Sequence, residues 1–150
     1  MERLTLSSSL IIAQTTLDEG RTRAAKPLAV CVLDAGGHDL VVLRSDAASL
    51  FRPAIARAKA MGALGMGVNT RALADRAQSS PAFFASLSAV TDGQIALSPG
   101  GVLILDRHGE IMGAVGVSGD TPDIDEACAL AGIHAAGLAA DIVTSSEPSL

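Results

Sequence analysis

The side chains in this sequence that could hold an anion or move a proton fall into a few short stretches. Arg44, Arg52 and Lys59 follow one another through "RSDAASLFRPAIARAK", where they could grip a carboxylate. Asp34, His38, Asp125 and Glu126 are the groups able to serve as acid or base toward a small carboxylated molecule. No nucleophile–base pair among them has diagnostic spacing. "DIDE" (Asp123 to Glu126) looks like a metal cluster, but consecutive carboxylates at a helix start point in several directions, so no metal site is expected there. Two readings of the cations stay open: Arg44 could pair internally with Asp46 and Lys59 with a carboxylate, or both could face an anion.

A second candidate is "GAVGVSGDTPDIDEACALAG", Gly113 to Gly132, a glycine-rich turn feeding a helix. Such turns hold phosphates, yet this one matches neither the Walker pattern nor G-x-G-x-x-G. Its helix opens with Asp120, Asp123, Asp125 and Glu126, which complement the helix dipole themselves and would repel an anion. Thr121 is suited to cap the helix, Pro122 to its first turn, and Gly119 to a left-handed turn. Gly113 and Gly116 fall within a strand instead. Strand glycines mark a bulge or the close approach of another backbone or a flat ligand. Together with Gly100 and Gly101, Arg44 and Lys59, they form the set expected to face a ligand.

Composition narrows the classes. The chain has 150 residues, enough for one domain with a single core, taken as residues 1–150. Aromatics are only 2%, with no Trp or Tyr, which argues against base-stacking platforms. A net charge of −5 with no basic run argues against nucleic-acid binding by phosphate neutralisation. Cys31 and Cys128 lie far apart in apolar stretches and read as reduced core thiols. The serine-bearing stretch "LSSSLIIAQ" is a poor signal peptide, and no apolar run is long enough to cross a bilayer, so a soluble cytoplasmic protein without a membrane partner is expected.

The elements that must position these residues follow from periodicity. Helical spacing is expected over Thr5 to Arg23 and from about Ser49 to Met66, where Phe51, Ile55, Ala58 and Gly62 share a face. Shorter helices fit Arg71 to Gln78 and Pro81 to Val90, and a last helix runs from Thr121 to about Asp141, with Ile124, Cys128, Ala131, Ala135 and Leu138 as its stripe. Apolar β-rich runs at Leu28 to Leu33 and Leu40 to Leu43 flank a Gly-Gly turn. A second hairpin joins Val102 to Leu105 with Ile111 to Val117, with a further strand possible before the last helix, and "SSEPSL" reads as a frayed end. Strands joined by tight turns, not alternating with helices, give an α+β fold: an antiparallel sheet of about five strands flanked by helices.

The stretches "VLDAGGHDLVVLRSDAA", "ARAKA", "PGGVLI" and "GAVGVSGDTPDIDEACALAGI" resemble, in order and spacing, the GlcG/HbpS family of haem-binding-type proteins, which is similar to the C-terminal domain of PduO-like corrinoid adenosyltransferases. The resemblance implies a profilin-like sheet, assembly as a homo-oligomer, and a small-molecule ligand: haem or a related tetrapyrrole, for storage, transfer or sensing. An alternative is a small isomerase, lyase or hydrolase acting on a carboxylated metabolite in the same pocket. Some relatives ligate iron through a histidine in the first helix, but this chain has none before His38. His38 and His108 fall in hairpin turns, where histidines are usually solvated, and His134 borders the apolar stripe of the last helix, as a ligand or a half-buried helix residue. Met61 and Met66 could offer sulfur, though methionines at helical spacing usually pack the core.

Overall fold

The structure, a computed structural model, describes residues 2–140. Its elements in chain order are α1 (Leu6–Thr22), β1 (Ala29–Asp34), β2 (Asp39–Arg44), α2 (Arg52–Met66), α3 (Thr70–Ser79), α4 (Pro81–Val90), β3 (Gly101–Leu105), β4 (Ile111–Ser118), α5 (Pro122–Ala135) and β5 (Ala139–Ala140). The strands form one antiparallel sheet in the order β2-β1-β4-β3-β5. Expected "SSEPSL" and the Asp141 end of the last helix lie outside the described residues.

Helices cover both faces of the sheet, which is why β1 is apolar at successive positions instead of alternating. Val30 and Val32 turn toward α1 and α5, where they meet Ile12, Ala13, Cys128 and Ile133. Ala29, Cys31 and Leu33 turn toward α2 and meet Ala56, Ala60 and Ala63. A smaller cluster of Leu73, Phe84 and Leu87 packs α3 against α4.

The packing of α2 corrects one expectation. Phe51, placed on its apolar face by spacing, is 70% exposed, and the buried line is Ala56, Lys59, Ala60, Gly62 and Ala63. Small residues bury best here because the sheet beneath α2 carries glycines. A Cβ at Gly116 would overlap the Ala56 carbonyl, and one at Gly101 would overlap the Lys59 carbonyl. Backbone thus meets backbone, and neither glycine faces a flat ligand. Gly113 lies beside the point where the β3–β4 register shifts between Ile104 and Leu105, and it too meets backbone, since a Cβ there would strike the Leu33 carbonyl.

The last helix is shorter than its apolar stripe suggests. It stops at Ala135, where Leu138 N–H donates to the Ile133 carbonyl at 3.2 Å and Gly137 N–H to that of His134 at 2.9 Å. With Gly137 left-handed at φ 73°, this closes the helix with a Schellman-type cap. Leu138 still packs on the core, but the chain then returns as β5 along β3, so the extra strand follows the last helix instead of preceding it. Gly119 also differs from expectation. Its φ of 159° is close to extended, and it lacks a side chain because Pro27 and Leu28 crowd the site. No helix among the described residues is long and apolar enough to cross a membrane.

Two glycine substitutions should move stability in opposite directions. Gly116→Ala forces a methyl against the α2 backbone and should cost at least about 2 kcal/mol in urea unfolding. Gly65→Ala, in α2 with nothing within 4 Å of the new Cβ, should add about 0.5–1 kcal/mol through helix propensity.

Candidate functional site

The sheet has two ends, and each gathers polar groups. Where β1 and β3 begin and β4 finishes, Lys59 reaches in from α2 and is only 3% exposed. Its Nζ donates to the Val117 carbonyl at 2.8 Å and to Asp125 Oδ2 at 3.1 Å. The other oxygen of Asp125 accepts from Asp120 N–H at 2.9 Å. Gly100, at φ 126°, leaves the space that the Lys59 side chain fills. Beside this group Arg52 donates to Ser118 Oγ at 3.0 Å. Of the two readings open for Lys59, the internal ion pair is the one built here, and Gly100 and Gly101 close around it.

Burial pulls Lys59 below its ordinary value and pushes Asp125 above its own, while each charge opposes the other's shift. Asp123 and Glu126 turn to a different cation. Arg71 on α3 donates its Nε to both Glu126 carboxylate oxygens at 3.0 Å and its Nη2 to Asp123. The hydrogen bond that Arg71 donates to Asp123 leads the effects that raise Arg71 further. The carboxylates of "DIDE" therefore diverge toward Lys59 and Arg71, tying the start of α5 to α2 and α3. Thr121 Oγ1 caps that helix by accepting from Ile124 N–H, and Asp120 accepts from Lys26 N–H at 2.7 Å.

At the opposite end, both hairpins close with the same turn. Asp34 Oδ1 accepts from the N–H groups of Gly36 and His38, each at 2.9 Å, and Gly37 is left-handed at φ 81°. Asp106 Oδ1 does the same for His108 and Glu110 at 2.7 and 3.0 Å, with Gly109 at φ 78°. They differ in the residue that closes the turn. In the first it is His38, whose ring folds back to put Nδ1 at 3.2 Å from Asp34 Oδ1. An ionised carboxylate only accepts, so Nδ1 is the donor in this contact. The His38 backbone N–H leads the effects that hold Asp34 below its ordinary value. This pair borders a cleft of about 470 Å³ that also takes in Arg3, Leu4, Leu40 and Met112.

A second cleft of about 510 Å³ lies between the C-terminal half of α1 and β2, with Arg21, Lys26 and Arg44 at its rim. Arg44 donates Nη1 to the Ala48 carbonyl at 2.9 Å, and Arg21 pairs with Asp18. No His, Cys, Met or Tyr lines this cleft. A smaller cavity of about 270 Å³ lies against Met61, Met66 and Ile95. His134 is exposed in the last turn of α5, and His108 is exposed in the second hairpin turn, away from the first cleft's lining. The structure thus joins Asp34 to His38 and Lys59 to Asp125, while Arg44, Glu126 and His134 stand apart. Arg3, Leu4 and Met112 escaped sequence reasoning, because only tertiary folding brings them to the hairpin.

Two measurements check this description. Lys59→Met strands Asp125 as a buried charge and should cost about 3–5 kcal/mol at neutral pH. Lys59 is among the groups holding the Asp125 value down, so its loss raises that value further and the folded state then takes up a proton more readily than the unfolded one. Stability lost at neutral pH should therefore return as pH falls toward 4, seen as a smaller wild-type-to-mutant difference in urea midpoint. Burial also pushes the thiols up, Cys31 to about 12 and Cys128 to about 11. Neither is a nucleophile, and a thiol reagent at neutral pH should label no cysteine until the protein is unfolded, then both.

The profile of the family described as "Haem degrading protein HbpS-like" matches residues 4–134. Among solved structures, a PduOC:heme complex superposes with a TM-score of 0.83 at 25% identity, covering 92% of this chain and 98% of that one. A double mutant of Streptomyces reticuli HbpS gives 0.77 at 27% identity, covering 89% and 87%. The Klebsiella pneumoniae protein ORFY, at 23% identity and a TM-score of 0.82 over 91% and 93%, shares the fold. No curated protein matches the chain in sequence. The profile match over most of the chain, on a sheet and helices that superpose on HbpS, establishes that the chain belongs to the HbpS-like family.

Proposed function

We propose that the protein binds haem or a related tetrapyrrole, for storage, transfer or sensing. An iron tetrapyrrole asks for an apolar slot, a cation for its carboxylates and a donor atom for the metal. The observation that carries the reading is the family match over residues 4–134. The cleft beside the first hairpin meets these needs only in part: Arg3 and the His38 imidazole line it, but Leu4 and Met112 are buried beneath it and Glu2 and Asp34 share its lining. The volume of about 470 Å³ falls within the range of small-molecule sites, roughly 300–1,000 Å³. The family match and the PduOC:heme relative support the same class of ligand. The cleft edged by Arg21, Lys26 and Arg44 offers cations but no metal donor, so it fits the group less well. Bound haem would supply redox chemistry at its iron, and the chain would supply an orienting cation and an apolar wall. Exposed Leu6, Leu10 and Ile11 on α1 supply an apolar face for the homo-oligomer that the family resemblance implies.

One observation also favours the catalytic alternative. Arg3 and the Asp34–His38 pair in one cleft would hold a small carboxylate beside a general base. Titration with hemin separates the two readings. Tetrapyrrole binding predicts a shifted Soret band that saturates at one hemin per chain and survives an excess of small carboxylates. Unsaturable absorbance changes would overturn it.

A further inference from the structure

The sheet has two unlike edges, and we infer that the longer one, β2, pairs antiparallel with β2 of a second copy, joining two sheets across a two-fold axis beside Val42. The inference rests on the homo-oligomer proposed above and is independent of any bound ligand. At the far edge stands β5, only two residues among those described, and a strand so short is a poor template for pairing. By contrast β2 has six residues and pairs with β1 alone among the described residues. It holds neither lysine nor proline, the residues that commonly guard an open edge, and its Val42 is 45% exposed. Ser45 N–H turns inward to the Leu28 carbonyl at 2.9 Å. Hydrogen-bonding direction alternates along a strand, so the N–H and C=O groups of Arg44 and Val42 turn outward.

The order of charges along β2 selects a second copy of the same strand. Counted by their β1 partners, Arg44 lies opposite Ala29, Val42 opposite Cys31 and Asp39 opposite Leu33. Val42 is therefore the middle rung, with a cation two rungs to one side and a carboxylate two rungs to the other. Ala29, Cys31 and Leu33 all face α2, and so do the three residues paired with them. The bulge makes this possible. Leu40 is the extra residue between Val41 and Asp39, and without it Asp39 would point to the opposite face. A two-fold rotation beside Val42 keeps the faces and sets Arg44 across from Asp39 of the second copy, twice. Val42 then meets its own counterpart, and Val41 meets Leu43. Both charged groups have capacity left among the described residues. Arg57 Nε occupies Asp39 Oδ1 at 2.8 Å and leaves Oδ2, while Arg44 spends Nη1 on the Ala48 carbonyl and leaves Nε and Nη2. Just beyond Ala48, exposed Leu50 and Phe51 add apolar surface.

The test measures mass by sedimentation across a range of concentrations for wild type, Asp39→Lys, Arg44→Glu, an equimolar mixture of those two, and Val42→Pro. Asp39, Val42 and Arg44 are exposed, so each variant should keep the wild-type circular dichroism spectrum. Wild type should associate as a dimer or a multiple of one. Either charge variant sets like charges opposite one another, so its dissociation constant should rise about 10-fold or more. Mixing the two should restore wild-type affinity, because each junction between unlike variants pairs a cation with a carboxylate again. Val42→Pro removes an outward N–H without touching the β1 ladder and should lose the contact. Amide exchange at Val42 and Arg44 should slow in the associated protein relative to the diluted one. Association that every variant leaves unchanged would overturn the β2 edge as the contact and leave the homo-oligomer standing. A mixture no tighter than its components would overturn the pairing of Asp39 with Arg44. Wild type that stays a monomer at every concentration would overturn the homo-oligomer, and this inference with it.

Discussion

The rest of the molecule depends on how closely α2 lies on the sheet. At Gly101 and Gly116 the carbonyls of Lys59 and Ala56 occupy the positions that side chains would need. Nothing larger than hydrogen fits, and the helix answers with Ala56, Ala60 and Ala63. Close packing on this scale leaves the helix little freedom to rotate or slide, because a shift in either direction would drive Cβ atoms into the strands. The low aromatic content is the compositional trace of the same contact, since large rings would hold the layers apart.

That closeness delivers Lys59. A lysine on a helix one layer further out could not pass its ammonium beneath the end of β4 to the Val117 carbonyl and Asp125. Two charges this deep are weak contributors to net stability, because desolvation offsets most of their attraction. What they do supply is registry. Asp125 also accepts from Asp120 N–H, and its neighbours Asp123 and Glu126 hold Arg71, so the first turn of α5 is tied to α2 and α3 at once. A buried charge without its partner is costly, which makes alternative placements of α5 unfavourable.

These two contacts explain what could be read in advance. Thr121, Pro122 and the hairpin glycines act locally, so their roles are visible in a few consecutive residues. The strand position of Gly116 was legible too, but its partner was not: a bare glycine records only that something comes near, and a helix, a subunit and a flat ligand leave the same mark. Lys59 was ambiguous for a related reason. Its type is suited to anions inside and outside the protein, and only the depth of α2 decides between them. The apolar stripe overran the end of α5 because Leu138 is buried although it is not helical, and burial was the property being counted. Arg3 and Met112 reach the first hairpin through the fold alone.

The twin turns have a consequence for how such a scaffold can change over time. In both, the aspartate secures the loop through main-chain N–H groups, which every residue but proline possesses. The side chain that closes the loop is therefore free of any duty in folding. Histidine at one and glutamate at the other are accepted by the same architecture. A lineage built on this sheet could acquire, discard or relocate a metal-seeking group at its hairpins without renegotiating its core, so chemistry and foldability would be inherited on separate terms.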